Sequence, residues 1–382
     1  MAVKPVKWFD STMAGAPVLS GTAGSLISVL NACLVDGFNL ITLDSLSVSG
    51  GVLTGVKAGH GFVVDQVVAT AGANEAQLNG EWTVTEVTPT TFKASASIAN
   101  VTGTGTISAK AAPLGWLKPY VGTNKAAYKS ASPESTGMLL RVDDTLAQYA
   151  VVSGYESMSD VESGTGIFPT LLQASSRLGW GKSSTSNTTA RPWSLFGDDR
   201  LMYFLRSPSS ANSSAQLHMF GDLVSDRVAG DPYCCFISGY NNPPSSTTNI
   251  PCGVATVDGY SSTDVIYAAR PYTQLGGAAQ CGTYSLRISG SSLSGGSLNN
   301  KQMSPLNNKV QVSPVLMVEV STGAIRASNV AGLYHSISYL PLSHLERTLN
   351  VTGISGRKLI ACATGSSGSE GRVFLDITGP WR

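Results

Sequence analysis

The chain has 382 residues and a net charge of +1 at pH 7, and its length predicts two domains or one domain with an insertion. Charged residues make up 13% of the chain, about half of the usual share of roughly 25%. Lysine and arginine form no runs, which argues against a nucleic-acid surface. No stretch approaches the roughly eighteen apolar residues of a membrane span, and the N-terminus lacks the apolar core of a signal peptide. These features predict synthesis and folding in a cytosol.

Residues 1–45 are expected to form an N-terminal arm and a helix that belong to the main body. Residues 1–20 are irregular in pattern. Apolar residues then recur at helical spacing and predict one short helix over residues 26–35. Gly37 is placed to end this helix, and Thr22 or Ser25 is placed to cap its start. The helical positions are Leu26, Val29, Leu30, Cys33 and Leu34.

Residues 46–110 differ from the flanking sequence in the density of short strand-like runs and turn signals. They predict a small inserted β-domain, either a barrel or a sandwich. Five strand-like runs are separated by glycine-rich turn signals, among them Gly50-Gly51 and Asn79-Gly80. Trp82 and Val84 alternate with polar residues, as in a strand with one face in water. His60 lies between two glycines and is interpreted as a polar loop residue.

Residues 111–382 are expected to complete a mainly β, β-sandwich-like body. Its centre is the stretch 191–240, where residues 201–205 are all apolar and predict a strand buried on both faces. The motif Phe-Gly-Asp occurs twice, at residues 196–198 and 220–222, and predicts a turn that leaves a strand. Asp143-Asp144-Thr145 is interpreted as a hairpin turn. The polar segment 171–190 is interpreted as a long loop.

The sequence patterns predict no catalytic residue, no cofactor-binding residue and no metal ligand. The four histidines have no metal-ligand spacing, and His218, in an apolar run, is interpreted as a core histidine. The six cysteines lack zinc spacing and are interpreted as buried thiols. Asp143-Asp144 and Asp198-Asp199 are interpreted as turn formers, although carboxylate pairs also serve glycosidases. Trp180 is interpreted as a packing residue rather than a sugar platform. The histidines are His60, His218, His335 and His344, and the cysteines are Cys33, Cys234, Cys235, Cys252, Cys281 and Cys362.

The low-charge surface, rich in Gly and Ser, suits either a protein covered by its neighbours or an ordinary secreted β-protein. The first interpretation predicts a symmetric, ring-forming oligomer. The arm 1–20 and the Ser/Gly-rich loop 289–304 are the expected contacts with neighbouring subunits.

Several segments resemble a group of virion structural proteins of tailed bacteriophages and prophages. They are KWFDSTMAGAPVLSG, ISVLNACLVDGFN, LNGEWTVTEVTPTTF, ARPWSLFGDDRLMYF, FGDLVS and GRKLIACAT. The resemblance spans most of the chain and implies no catalytic residues and no cofactor. It implies a structural role in the virion without indicating the position, and the first hypothesis is the tail, baseplate or collar. The expected partners are other virion proteins, copies of itself and the host surface, with neither nucleic acid nor membrane among them. A head decoration protein and a host-surface receptor-binding protein or depolymerase are the alternatives.

Overall fold

The computed structural model describes residues 5–174, 177–207, 216–241, 264–285, 310–336, 342–348, 351–352, 354, 356–364 and 371–382. The fold is mainly β, with 48% of the described residues in strands and 5% in helices. Large antiparallel sheets and one short helix form a β-sandwich-like body, which confirms the predicted fold class. The predicted contact loop 289–304 and Cys252 lie outside the described residues.

Residues 5–20 pack on the body, although the sequence showed no apolar pattern that would hold them there; their contact with neighbouring subunits stays a prediction. Strand β1 (Lys7–Asp10) pairs antiparallel with Trp193–Gly197. All four of its residues are buried, and Leu19 further along is also fully buried. The sequence pattern missed this because the strand has only four residues and its partner lies far away in the chain.

The predicted helix is present as two short pieces, α1 (Ser25–Leu30) and a π-helix (Asn31–Asp36). The π-turn is stabilised from outside, because the carbonyls of Cys33 and Leu34 accept hydrogen bonds from the backbone of residues 114–116. Gly37 ends the π-helix at φ 73°, as the sequence predicted. Neither predicted N-cap acts on α1. Its first amides, those of Leu26 and Ile27, donate to the carboxylate of Asp144.

A separate eight-stranded antiparallel sheet, here called the small sheet, follows in the order β2-β9-β5-β6-β7-β4-β3-β8. Its side chains form their own hydrophobic core around Leu46, Leu53, Val84 and Phe92. The domain boundaries at residues 46 and 110 stay a prediction, and the first strand of the small sheet begins before residue 46. Its strands are β2 (Phe38–Thr42), β3 (Ser45–Ser49), β4 (Val52–Val56), β5 (Val67–Ala71), β6 (Gly80–Val87), β7 (Thr91–Ser95), β8 (Val101–Thr102) and β9 (Ser108–Ala111), with a 3₁₀ turn at Ala76–Leu78.

The turn signals of the small sheet have different outcomes. Gly50 and Gly51 adopt φ of 58° and 78° between β3 and β4, as a two-residue hairpin requires. Asn79-Gly80 forms no such hairpin, because Gly80 already begins β6. The side-chain amide of Asn79 instead donates to the carbonyl of Ala73, and its oxygen accepts from the backbone amide of Ala73.

The body continues with a run of antiparallel strands around the main core. The buried strand predicted at residues 201–205 is β17, and all of its residues are buried. The segment 171–190 is not one loop, because it contains β15, which pairs with β13. The strands are β10 (Leu117–Gly122), β11 (Lys125–Lys129), β12 (Leu139–Asp143), β13 (Tyr149–Met158), β14 (Gly164–Phe168), β15 (Leu178–Gly181), β16 (Trp193–Gly197), β17 (Leu201–Arg206), β18 (Gln216–Asp222), β19 (Cys235–Asn241), β20 (Asp264–Ala268) and β21 (Ala279–Ser285).

The C-terminal strands extend the body from β22, which pairs with β21 at one end and with β24 at the other. The chain then returns through β28, and Trp381 packs on Tyr203 of β17 with ring centroids 5.5 Å apart. The remaining strands are β22 (Val310–Glu319), β23 (Ile325–Ala327), β24 (Leu333–Ser336), β25 (Arg347–Thr348), β26 (Val351–Thr352), β27 (Leu359–Thr364) and β28 (Gly371–Asp376).

Candidate interaction surface

Four segments meet at one end of the body: residues 169–174, 223–233 and 269–278, which connect strands, and residues 320–325, which run from the end of β22 to the first residue of β23. We call this group the loop end. The strand registers place them together, because Phe236 pairs with Ala268 and Cys281 pairs with Glu319. The first segment joins the others through the Gln173 amide, which donates to the carbonyl of Ala278 at 2.7 Å.

The two Phe-Gly-Asp motifs lie at the base of the loop end, and each aspartate holds a turn. Asp198 accepts hydrogen bonds from the backbone amides of Arg200 and Leu201 at 2.8 and 2.9 Å. Asp222 accepts from the hydroxyl of Ser135 and from both the amide and the hydroxyl of Thr136, at 2.7–2.8 Å. Both aspartates are buried. The turn interpretation of Asp198 is therefore correct, and the motif recurs because two strands end at the same edge.

Arg382 links the two motifs to each other. Its guanidinium donates to both carboxylate oxygens of Asp198, at 2.7 and 3.0 Å, and to the backbone carbonyl of Asp222 at 2.6 Å. Both carboxylate contacts come from the same guanidinium nitrogen, Nη2, and hydrogen bonds between charged groups are stronger than those between neutral groups. The last residue of the chain thus fastens the base of the loop end.

A buried ion cluster lies directly beneath the loops. The Arg326 guanidinium contacts the carboxylate of Asp231 at 2.7 Å and that of Glu319 at 3.3 Å, and all three side chains are completely buried. Arg326 also donates to the carbonyl of Arg270 at 2.8 Å. Burial lowers the pKa of Arg326, but the neighbouring Asp231 outweighs it, so the pKa lies above its ordinary value. Arg326 is therefore a permanent cation that joins three loops.

The two carboxylates of this cluster also organise the backbone of the loops. Glu319 accepts from the amide of Tyr272 at 2.6 Å and from the hydroxyls of Ser321 and Thr322. Asp231 accepts from the amide of Tyr233 and from the hydroxyl of Ser225. Because buried backbone groups need partners, each carboxylate fixes the path of its own loop.

A second arginine holds the outer layer of the loop end. Arg270 forms a bidentate ion pair with Glu156, at 2.6 and 2.7 Å, and its guanidinium lies 4.2 Å from the ring centroid of Tyr233. Arg227 lies over the ring of Tyr272 at 5.8 Å. These cation–π contacts stabilise exposed loops by about 0.5–1 kcal/mol each.

The loop end displays apolar side chains to solvent. Half of the exposed large hydrophobic residues in the described part of the chain lie on its four segments. Val228 and Leu172 are completely exposed, and Leu275 is 76% exposed. Clusters of exposed apolar side chains mark interaction sites more often than chance placement does. The seven residues are Leu171, Leu172, Val224, Val228, Tyr272, Leu275 and Ile325.

The histidines named from the sequence lie apart from the loop end and are packed or hydrogen-bonded. His60 lies in the loop between β4 and β5, as predicted, and is buried there: its Nδ1 accepts from the amide of Phe62, and its Nε2 is 3.0 Å from the carbonyls of Thr88 and Thr91. His344 Nδ1 accepts from the amide of Ala363, and His335 is buried.

Trp180 and His218 pack together in the core of the body, as predicted. Their rings stack at 5.4 Å, and the indole of Trp180 donates to the carbonyl of Ser238 at 2.7 Å. Burial, with a smaller effect of Arg206, lowers the pKa of His218 well below its ordinary value. His218 is therefore uncharged at neutral pH, which suits a core residue.

The described cysteines are free and buried, in agreement with the prediction. Burial raises the pKa of Cys281 to about 12, and burial together with the charge of Asp231 raises that of Cys234 to about 12. At neutral pH these sulfurs are therefore thiols and poor nucleophiles.

Asp143 forms the predicted turn between β12 and β13, because its carboxylate accepts from the amide and the hydroxyl of Thr145. The sequence did not reveal the role of the neighbouring Asp144, which is buried. Its carboxylate caps α1 and contacts the ammonium of Lys182, and both side chains are completely buried. Burial raises the pKa of Asp144 and lowers that of Lys182, and their mutual attraction opposes both shifts. The ammonium also donates to the carbonyls of Thr22 and Leu146 at 2.6 and 2.7 Å. In the sequence, Asp144 is marked by no more than an adjacent pair of acidic residues. Such pairs are also common in turns, so the cap could not be predicted.

Within the described ranges, no group of three or more His, Cys, Asp or Glu side chains is placed to hold a metal ion. Nor is any helix in those ranges long and apolar enough to cross a membrane.

Comparison with known proteins gives a distant structural likeness. No protein-family model and no curated protein sequence matches the chain. Among solved structures, an endosialidase of phage phi92 aligns with 89% of this chain at 12% sequence identity and a TM-score of 0.18. The chain spans about half of that protein, since the alignment covers 52% of it.

Proposed function

We propose that this chain is a structural component of a tailed-bacteriophage virion, located in the tail, baseplate or collar, where it assembles as a symmetric oligomer. The proposal includes the absence of catalysis and of a cofactor. Its role is to present a fixed protein-binding surface, and its partners are copies of itself and other virion proteins.

The observation that carries the proposal is the loop end. Seven apolar side chains are exposed there, and five of them lie on the three loops that Arg326, Asp231 and Glu319 hold from below. A surface ordered before binding loses less conformational entropy when a partner docks. Arg326, Asp231 and Glu319 beneath it are engaged in holding the loops, which favours a docking role over bond making. The virion context comes from the sequence segments that resemble tailed-phage structural proteins.

The deciding experiment locates the chain in intact particles by immunogold labelling and cryo-electron microscopy. We expect label at the tail, baseplate or collar, in a few tens of copies or fewer. Label that follows the capsid lattice would instead establish the head decoration role. Purified protein that hydrolyses host polysaccharide would overturn the absence of catalysis, and absence from particles would overturn the proposal itself.

A further inference from the structure

We infer that the loop end binds the loop end of a second copy of this chain. The inference rests on the proposed assembly role and names the partner of that same surface. Three observations support it: the size of the loop end, its charge and its rigidity.

The loop end has the size of one side of a stable protein interface. Its four segments together hold about thirty residues, and a standard interface uses roughly 20–30 residues and about 800 Å² per partner. Side chains such as Val228 and Leu275 make almost no contact within their own chain. Apolar side chains of this kind gain about 25 cal/mol for each Å² that a partner removes from water.

The charges of the loop end favour a neutral partner. The four segments carry two aspartates and two arginines. Asp231 pairs with Arg326, and Arg270 pairs with Glu156. Arg227 donates to the carbonyl of Gly230 at 2.6 Å. A strongly acidic or basic partner would therefore find no excess of opposite charge here.

A second copy supplies the neutral, apolar surface that this composition fits. Two identical patches with no net charge meet without like-charge repulsion, and pairing through the same patch on both subunits is the usual arrangement around a twofold axis. The ion cluster under the loops keeps the two patches in the same shape, so that they can match each other.

The test compares self-association of the full chain with that of a variant carrying Val228→Asp and Leu275→Asp. Both side chains are exposed, so the substitutions leave the core intact. Leu40→Asp is the control: Leu40 is 71% exposed but lies on β2 of the small sheet. Analytical ultracentrifugation over a concentration series measures the dissociation constant, and circular dichroism confirms folding.

We expect the wild type and the Leu40→Asp variant to associate alike, and the loop-end variant to associate at least about 100-fold more weakly, as for loss of interface hot spots. Equal association of all three proteins, equal weakening by Leu40→Asp, or a wild type that stays monomeric would each overturn the inference.

A second measurement separates this inference from the proposed function. The same three proteins are expressed during infection, and their amounts in purified particles are compared. A chain that enters particles but never self-associates through the loop end would disprove the second-copy partner and leave the structural role intact. If the wild type is monomeric in solution and the loop-end variant fails to enter particles, the loop end binds another virion protein. Failure of the wild type to enter particles would remove the structural role instead.

Discussion

Replacement of Arg326 by methionine tests whether the buried ion cluster holds the loop end. Methionine replaces the aliphatic part of the arginine side chain but provides neither its charge nor its hydrogen bonds. Asp231 and Glu319 would then remain buried without their cation, because all three side chains are completely shielded from water. Removing one partner of such a group costs about 3–5 kcal/mol.

The matched control is Lys57→Met. Lys57 pairs with Asp44 at 2.9 Å, but both side chains are substantially exposed, at 36% and 58%. An exposed pair of this kind contributes about 0–1 kcal/mol. The two variants therefore remove the same type of charge from a buried and from an exposed setting.

The assay is urea unfolding followed by tryptophan fluorescence, in which a lower midpoint at constant slope reports lost stability. Adding Glu319→Gln to Arg326→Met should recover part of the loss, because a neutral amide oxygen still accepts from the Tyr272 amide and removes one stranded charge. If Arg326→Met stays within about 1 kcal/mol of wild type, the cluster does not hold the loops and our account of the loop end is wrong.

Three further predictions concern the rest of the chain. Asp65→Asn should weaken the attachment of the small sheet to the body, because Asp65 contacts Lys358 and Arg347. The rate of amide hydrogen exchange at residues 64–66 should rise about tenfold, and the control variant Asp44→Asn should leave this rate unchanged. Gly221→Ala should lower the free energy of unfolding by more than about 2 kcal/mol, because Gly221 has a φ of 137° and an added Cβ would lie 2.2 Å from a backbone oxygen. The control is Gly80→Ala, whose added Cβ would meet open space, and the melting temperatures of both variants check the prediction. Hydrogen bonds from the amide and hydroxyl of Thr104 lower the pKa of Glu75 below its ordinary 4.5, so its stabilisation is complete above pH 4.5 and disappears as the pH falls through the lowered value. The difference in melting temperature between wild type and Glu75→Gln should therefore shrink as the pH falls through the lowered pKa of Glu75.

The sequence by itself determined the features that depend on near neighbours in the chain. The apolar run 201–205 predicted β17, because a strand buried on both faces has no polar alternation. Gly50-Gly51 predicted a turn between two strands, and the structure has a hairpin there in which both glycines adopt positive φ. Helical spacing around Leu26 and Leu30 predicted the helix, because side chains on one helical face repeat every three to four residues.

The tertiary structure alone decided the features that join distant residues. The carboxylate that caps α1 lies 118 residues from the amide it accepts from, and the arginine that fastens Asp198 lies 184 residues away. Arg326 and Asp231, separated by 95 positions, meet only because the antiparallel register brings their loops to the same end of the body. A buried charge needs a partner wherever in the chain it lies, and local sequence patterns carry no information about that partner.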